Sequence, residues 1–245
     1  MSVYDWLIMQ AFIISWEGQT DNAREIATAL AGEVEHIHVI YSSHANTIEE
    51  GDGNWVKVPD SWFFGKKFSH GLDLFNGEIL LLIQADAQCD DWPQLVRRCR
   101  AAFALNKVGV WGPAVDYNAH DYDFSQRIRD RRTLYQAVNI DAVVTAYSRC
   151  VVDRLREFSY EHNNLGWGID WASNCYSRVN NLCVLRDRAI DVVHPRERGY
   201  DATEAESQMV LFLDQMTEQE KVQYALLSTY RSVCIAQEHS MQSSQ

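Results

Sequence analysis

The chain has 245 residues, 47% hydrophobic and 23% charged, an ordinary globular balance with enough apolar material for one sizeable core. Its net charge of −12 at pH 7 argues against nucleic acid and anionic membrane surfaces as partners, because both call for basic patches. The six cysteines (Cys89, Cys99, Cys150, Cys175, Cys183 and Cys234) show no CxxC spacing, which excludes the usual zinc and thioredoxin patterns and fits reduced thiols in a cytoplasmic protein.

Taken in chain order, Met1 to Trp16 lack the basic start and small-residue cleavage site of a signal peptide. The apolar run there is too short to span a bilayer, so no transmembrane segment is expected. Residues 7–15 (LIMQAFIIS) read as a strand covered on both faces. Residues 20–31 put Ala23, Ile26, Ala27 and Leu30 on one helical face, with Gly32 placed for a C-terminal cap. Residues 36–41 (HIHVIY) make a second strand, so the chain opens strand–helix–strand, the signature of a parallel sheet. Residues 42–60 are polar and turn-rich and predict mostly loop.

Residues 62–75 space Phe64, Phe68, Leu72 and Phe75 for a helix that Gly77 ends, and residues 78–84 (EILLLIQ) follow as a third buried strand. A helix over 92–105 buries Leu95, Val96, Cys99, Ala102 and Phe103, and residues 108–111 predict a short strand. Residues 115–132 are irregular and rich in Asp, Tyr and Arg, and a loop of that length is usually functional or mobile. Then come a strand over 142–147, a helix over 149–158, a glycine-bearing loop over 163–170, a helix over 171–179, and two short strands over 182–186 and 189–194. Thr203 with Glu206 and Thr217 with Glu220 each fit a capping box before an apolar periodic run. The organisation expected is α/β: one domain over 1–202 with a mostly parallel sheet flanked by helices, and a C-terminal helical extension over 203–240 packed on it.

Ligands of open α/β sheets bind beyond the carboxyl ends of the strands, and the residues found there are polar. Ser15 ends the first strand and Trp16 and Glu17 follow it, and Tyr41 ends the second with Ser42 after it. Gln84, Ala85 and Asp86 close the third, and His194, Arg196 and Arg198 follow the last. Asp86, held directly after a buried strand, suits a hard cation such as Mg²⁺ or Mn²⁺, or equally a turn or helix cap. His194 fits a neutral imidazole ligand or a hydrogen-bonded strand end. Lys66, Lys67, Arg196 and Arg198 fit charge-assisted bonds to a diphosphate or solvated surface. In Gly166-Trp167-Gly168-Ile169-Asp170, the indole suits stacking on a sugar face and Asp170 suits a general base, against a core Trp and an N-cap Asp.

These signals join in a resemblance. The stretch Phe64 to Asp86, with Gly71-Leu72, Gly77-Glu78, an apolar strand and Gln84-Ala85-Asp86, resembles the family 2 GT-A glycosyltransferases, in which a helix and strand lead to a D-x-D motif. Phe12-Ile-Ile-Ser-Trp-Glu17 is similar to the family's first strand, Gly166 to Asp170 to the G-W-G-x-E-D loop of galactosyltransferase-like members, and Val192-Val193-His194 to its V-x-H element. The resemblance runs over about residues 8–200 and implies a GT-A (Rossmann-like) fold. It further implies an inverting, metal-assisted transfer from a UDP- or GDP-linked sugar to a sugar or glycan acceptor, as in glycan and polysaccharide biosynthesis. Asp86 and His194 would hold Mn²⁺ or Mg²⁺, and Asp170 would be the base. Ser15, Trp16, Glu17, Tyr41, Ser42, Lys67, Gln84, Ala85, Trp167 and Arg198 would contact the donor, with residues 115–132 as a lid. The chain departs from the pattern at Gln84, where the family has the first Asp, at Tyr41-Ser42-Ser43, where it has Asp-Asp-x-Ser, and at Ile169. These departures keep a second reading open, a nucleotide-sugar or glycan-binding module of the same fold without catalysis. A nucleic-acid acceptor is disfavoured by the charge, and a nucleotidyltransferase by the poor match of Trp16-Glu17-Gly18-Gln19 to a glycine-rich basic loop.

Overall fold

The computed structural model describes residues 7–43, 54–104, 107–116, 123–127, 133–195 and 199–242. The amino-terminal half contains β1 (Met9–Ser15), α1 (Thr20–Leu30), β2 (His36–Tyr41), β3 (Asn54–Lys57), α2 (Phe64–Leu74), β4 (Ile79–Gln84) and α3 (Trp92–Phe103). The remainder contains β5 (Val108–Val115), β6 (Asp123–Arg127), β7 (Leu134–Ala137), β8 (Val144–Ser148), α4 (Arg149–Arg156), α5 (Ile169–Val179), β9 (Cys183–Val192), α6 (Ala202–Leu213) and α7 (Glu218–Gln242). Among the described residues the strands form one nine-stranded sheet, ordered β3-β2-β1-β4-β8-β5-β9-β7-β6. The pairings leave only β7 and β8 reversed, so seven of the nine strands share one direction.

Side-chain alternation along β1 builds a three-layer molecule. Met9, Ala11 and Ile13 point to one face, where they pack with Ala23, Ile26 and Leu30 of α1 and Leu95, Val96 and Cys99 of α3. Phe12 and Ile14 point to the other, among Phe68 and Leu72 of α2, Val151 and Leu155 of α4 and Ile169 and Trp171 of α5. That second core also takes in Phe212 and Leu213 of α6, Met216, and Leu227 of α7. Both faces are thus covered, which is why every residue of β1 is buried and why the strand reads as an unbroken apolar run.

The structure departs from the sequence reading where strands are short or carry charge. β3, within the segment expected to be loop, is a four-residue edge strand whose residues are all half-buried or exposed, too brief for a periodic signal. The two short strands expected over 182–194 are one strand, β9, whose register against β5 slips between Pro113 and Ala114. The polar break that divides it in sequence is Asp187 and Arg188, both paired: Asp187, buried, to Arg98 at 2.8 Å and Arg188 to Asp123 at 2.8 Å, beside the buried Arg186 on the same carboxylate. β5 continues past Gly112-Pro113 to Val115, and α5 starts at Ile169 after Gly168 at φ +91°. Of the two expected capping boxes, Thr217 with Glu220 is reciprocal, with each backbone N–H donating to the other's side chain. At α6 the cap is Asp201, whose carboxylate accepts from the Thr203 amide. Most of the expected lid at 115–132, and Arg196 and Arg198, lie outside the described residues.

Candidate functional site

Parallel register sets the rim of the site. Ser15 pairs with Tyr41 and Ile14 with Gln84, so β1, β2 and β4 end level with one another. After β4 the chain turns tightly: the Ala85 amide donates to Ile14 O at 2.9 Å and the Ala87 amide to Gln84 O at 3.0 Å. The Gln84 side-chain amide donates across the sheet to Ala142 O at 3.0 Å.

β9 delivers its own end to the same turn. Gln88 and Val193 form an antiparallel bridge with reciprocal 2.9 Å hydrogen bonds. The next amide, His194 N–H, donates to Asp116 Oδ1 at 2.9 Å, while the Asp116 amide returns to Val192 O. His194 is therefore clamped by its backbone, and its ring faces Asp86, with Nε2 3.5 Å from Oδ1 and the side chains only 18% and 14% exposed. That separation is beyond a good hydrogen bond, and both atoms are buried without a hydrogen-bond partner. Burial alone would lower the His194 pKa, yet it is raised, because the Asp86 carboxylate, with Asp141 and Asp116 further off, stabilises the charged ring. An oxygen and an imidazole nitrogen, unpartnered and facing each other, fit a small divalent cation between them. No third His, Cys, Asp or Glu joins them in a metal-binding group among the described residues.

The opposite end of the rim is closed. Lys67 of α2 is 2% exposed, and its ammonium donates to Ser15 O at 2.6 Å and to Ser42 Oγ at 2.7 Å. Burial pulls its pKa down to about 8, against a smaller opposing pull from Asp60. Lys67, expected to meet a diphosphate, is turned inward and ties the ends of β1 and β2 together. Tyr41 is likewise engaged, its ring edge-on to Trp55 of β3 at 5.6 Å. Ser15 Oγ is buried without a partner, whereas Trp16 is half-buried and Glu17 exposed.

The glycine-bearing loop is placed by backbone contact. The Gly65 amide donates to Asn164 O at 2.8 Å, and the Asn164 side chain bonds Phe63 N and Ser61 O. A Cβ on Gly65 would stand 2.0 Å from Asn163 O, and Gly166 sits at φ +82°. These glycines let α2 and the loop touch main chain to main chain, a packing role beside the ligand-wrapping expected of Gly166 and Gly168. The Trp167 indole N–H donates to Tyr200 Oη at 2.9 Å, with the two rings edge-on.

Asp170 lies in the first turn of α5 and is 8% exposed. Its Oδ2 accepts from Asn139 Nδ2 at 2.7 Å. Three residues after Asn139 is Ala142, the acceptor of Gln84, so one short segment joins the Asp170 end to the Asp86 turn. The sequence reading missed Asn139, Asp116 and Asp141. Asp116 follows a strand end as Asp86 does, and would have been found had β5 been carried to Val115.

No family model and no curated protein sequence matches the chain. Solved structures do. The chain superposes on GalNAc-T7, solved with UDP, GalNAc and Mn²⁺, with a TM-score of 0.66 and 13% identity over 89% of its length. On glucosyl-3-phosphoglycerate synthase from Mycobacterium tuberculosis, with Mn²⁺, UDP and phosphoglyceric acid, the values are 0.55, 11% and 84%, covering 77% of that chain. On the mannosyltransferase PcManGT from Pyrobaculum calidifontis, with GDP-Man and Mn²⁺, they are 0.54, 10% and 97%, covering 81% of that chain. The chain spans about half (49%) of the GalNAc-T7 chain. The fold is GT-A, as the motif resemblance implied. Among the described residues no helix is long and apolar enough to cross a membrane.

Proposed function

We propose that this protein is a glycosyltransferase that moves a sugar from a nucleoside-diphosphate sugar to an acceptor hydroxyl, in glycan or polysaccharide synthesis. The observation that carries the reading is the pair of unpartnered buried atoms, Asp86 Oδ1 and His194 Nε2, at the carboxyl end of β4 in a GT-A fold. Asp86 and His194 would hold Mn²⁺ or Mg²⁺, whose chemistry there would be to neutralise charge on a departing nucleoside diphosphate. The solved neighbours that carry UDP or GDP-Man together with Mn²⁺ support this choice of ligands.

The chain's own groups do the rest. Ser15, with its unused hydroxyl, lines the nucleoside side with Trp16, Glu17, Tyr41 and Ser42, above the Lys67 brace. Gln84 and Ala85 shape the turn under the diphosphate, and Arg198 supplies a cation. Trp167 supports a sugar ring. Asp170 takes the proton of the acceptor hydroxyl as that oxygen bonds to the anomeric carbon, and the bond from that carbon to the phosphate oxygen breaks on the opposite face, inverting the centre.

The test is a panel of UDP- and GDP-sugars with Mn²⁺ and candidate acceptors, read as nucleotide release and, by calorimetry, as donor binding. We expect release from at least one donor, abolished in Asp170→Asn while donor binding survives. Near wild-type turnover in that variant would sink the assignment of Asp170. The second reading, a binding module without catalysis, is favoured by Gln84, whose amide is spent on Ala142 O. It predicts donor binding with no release under any condition.

A further inference from the structure

We propose that Asn139 is the positioning residue for Asp170: it fixes the direction of the carboxylate and keeps it ionised in a nearly closed site. This rests on Asp170 being the base. An ionised carboxylate only accepts hydrogen bonds, so the amide nitrogen of Asn139 must face Asp170 Oδ2, 2.7 Å away. The carbonyl oxygen of the same amide then faces Asn174, whose Nδ2 donates to it. Asn174 stands one helical turn beyond Asp170 on α5 and also donates to the Asp170 carbonyl. Each amide orientation in the chain follows from the charge at its end.

Asn139 itself cannot swing. It and Asn174 are fully buried, and the Asn139 main-chain carbonyl accepts from the buried Arg186 guanidinium of β9 at 2.8 Å. Arg186 is in turn bound to Asp123 at 2.7 Å. Asn139 is thus held at three points, two on its side-chain amide and one on its main-chain carbonyl, and the arrangement is no helix cap, since α5 begins at Gly168 with no side-chain cap hydrogen bond. An N–H donor to a buried carboxylate stabilises its charged form, and a fixed direction keeps the accepting lone pair aimed at one place.

Two variants test this. Asn139→Asp is nearly isosteric and can still accept from Asn174, but presents an oxygen to Asp170. Asn139→Ser is shorter and keeps a donor. With the donor that the wild type turns over, we expect Asn139→Asp to lower kcat by up to about 100-fold with donor KM unchanged. The acid limb of the pH profile should move to higher pH, and Asn139→Ser should restore the limb towards its original place. Asp170 carboxyl ¹³C titration reads the same shift without turnover. Should Asn139→Asp fail to fold, Asn174→Ala removes the group that orients Asn139 and should move both readouts in the same direction. If Asp170→Asn is inactive while the Asn139 variants keep the wild-type kcat, acid limb and carboxyl titration, the positioning role is wrong and the base assignment stands. If Asp170→Asn turns over normally, the base assignment fails and this inference with it.

Discussion

The two ends of the strand-end rim are made of similar material and finished in opposite ways. At the β1/β2 end a buried ammonium, Lys67, has a carbonyl and a hydroxyl placed for it at 2.6 and 2.7 Å. At the β4/β9 end a buried carboxylate and imidazole face each other at 3.5 Å, and neither inner atom has a hydrogen-bond partner. Leaving a buried polar atom unsatisfied costs about 1–3 kcal/mol. On the proposed function, the second place is the one kept for a ligand. In that reading Lys67 is scaffold beneath the nucleoside side of the rim, and the Asp86–His194 end is the binding corner.

The largest effect should come from moving the scaffold. Gly65 sets how closely α2 approaches the 163–166 loop, and α2 carries Lys67. A methyl at Gly65 meets the Asn163 carbonyl oxygen at 2.0 Å and the Gly166 nitrogen at 2.8 Å, and neither atom is the end of a flexible side chain. Gly65→Ala must therefore push the helix off the loop. We expect it to destabilise the fold by about 3 kcal/mol, read by urea unfolding. A variant that melts like wild type would show that the contact is looser than its geometry.

Next in size is the metal response, which bears directly on the contrast. Mn²⁺ at a hundredfold excess over its Kd should stabilise the wild type by about 2.7 kcal/mol, measured as a rise in Tm. Asp86→Ala and His194→Ala should each abolish the rise. Lys67→Met should keep it, because Lys67 belongs to the other end. An unchanged Mn²⁺ response in Asp86→Ala would break the distinction between scaffold and binding corner.

This division was half legible in the sequence. β1 and β4 are buried on both faces and announce themselves as apolar runs, so Asp86 could be found just past a strand end. His194 could be found the same way. The partnering of each group could not. Lys66 and Lys67 look alike in sequence, yet only the structure turns Lys67 inward, because a one-residue step on a helix swings a side chain about 100° around its axis. Asn139 lies in a segment with no periodicity, and its meaning comes from contacts with residues 31 and 35 positions away. Asp187 and Arg188 divided β9 in the sequence because charges inside a strand look like a break until their partners, distant in sequence, are known. Burial pattern is local and readable, whereas satisfaction of buried polar groups is set by the tertiary structure.

The last effect is on the pH dependence of stability, and it sharpens what scaffold means at Lys67. Its pKa is about 8 in the folded protein against an ordinary value of 10.5. Below pH 8 both folded and unfolded chains hold the proton, and Lys67 adds no slope. Between pH 8 and 10.5 the unfolded chain keeps a proton that the folded chain has released, so stability rises with pH across that window and levels off above it. At neutral pH the charged ammonium is thus held inside at some expense, tempered by its two hydrogen bonds. Urea unfolding of wild type and Lys67→Met at half-unit steps from pH 7 to 10.5 isolates the contribution as a difference curve, flat below pH 8 and rising above it. Parallel curves would mean that the ammonium is as well solvated inside as outside, and that the brace carries no strain to be relieved.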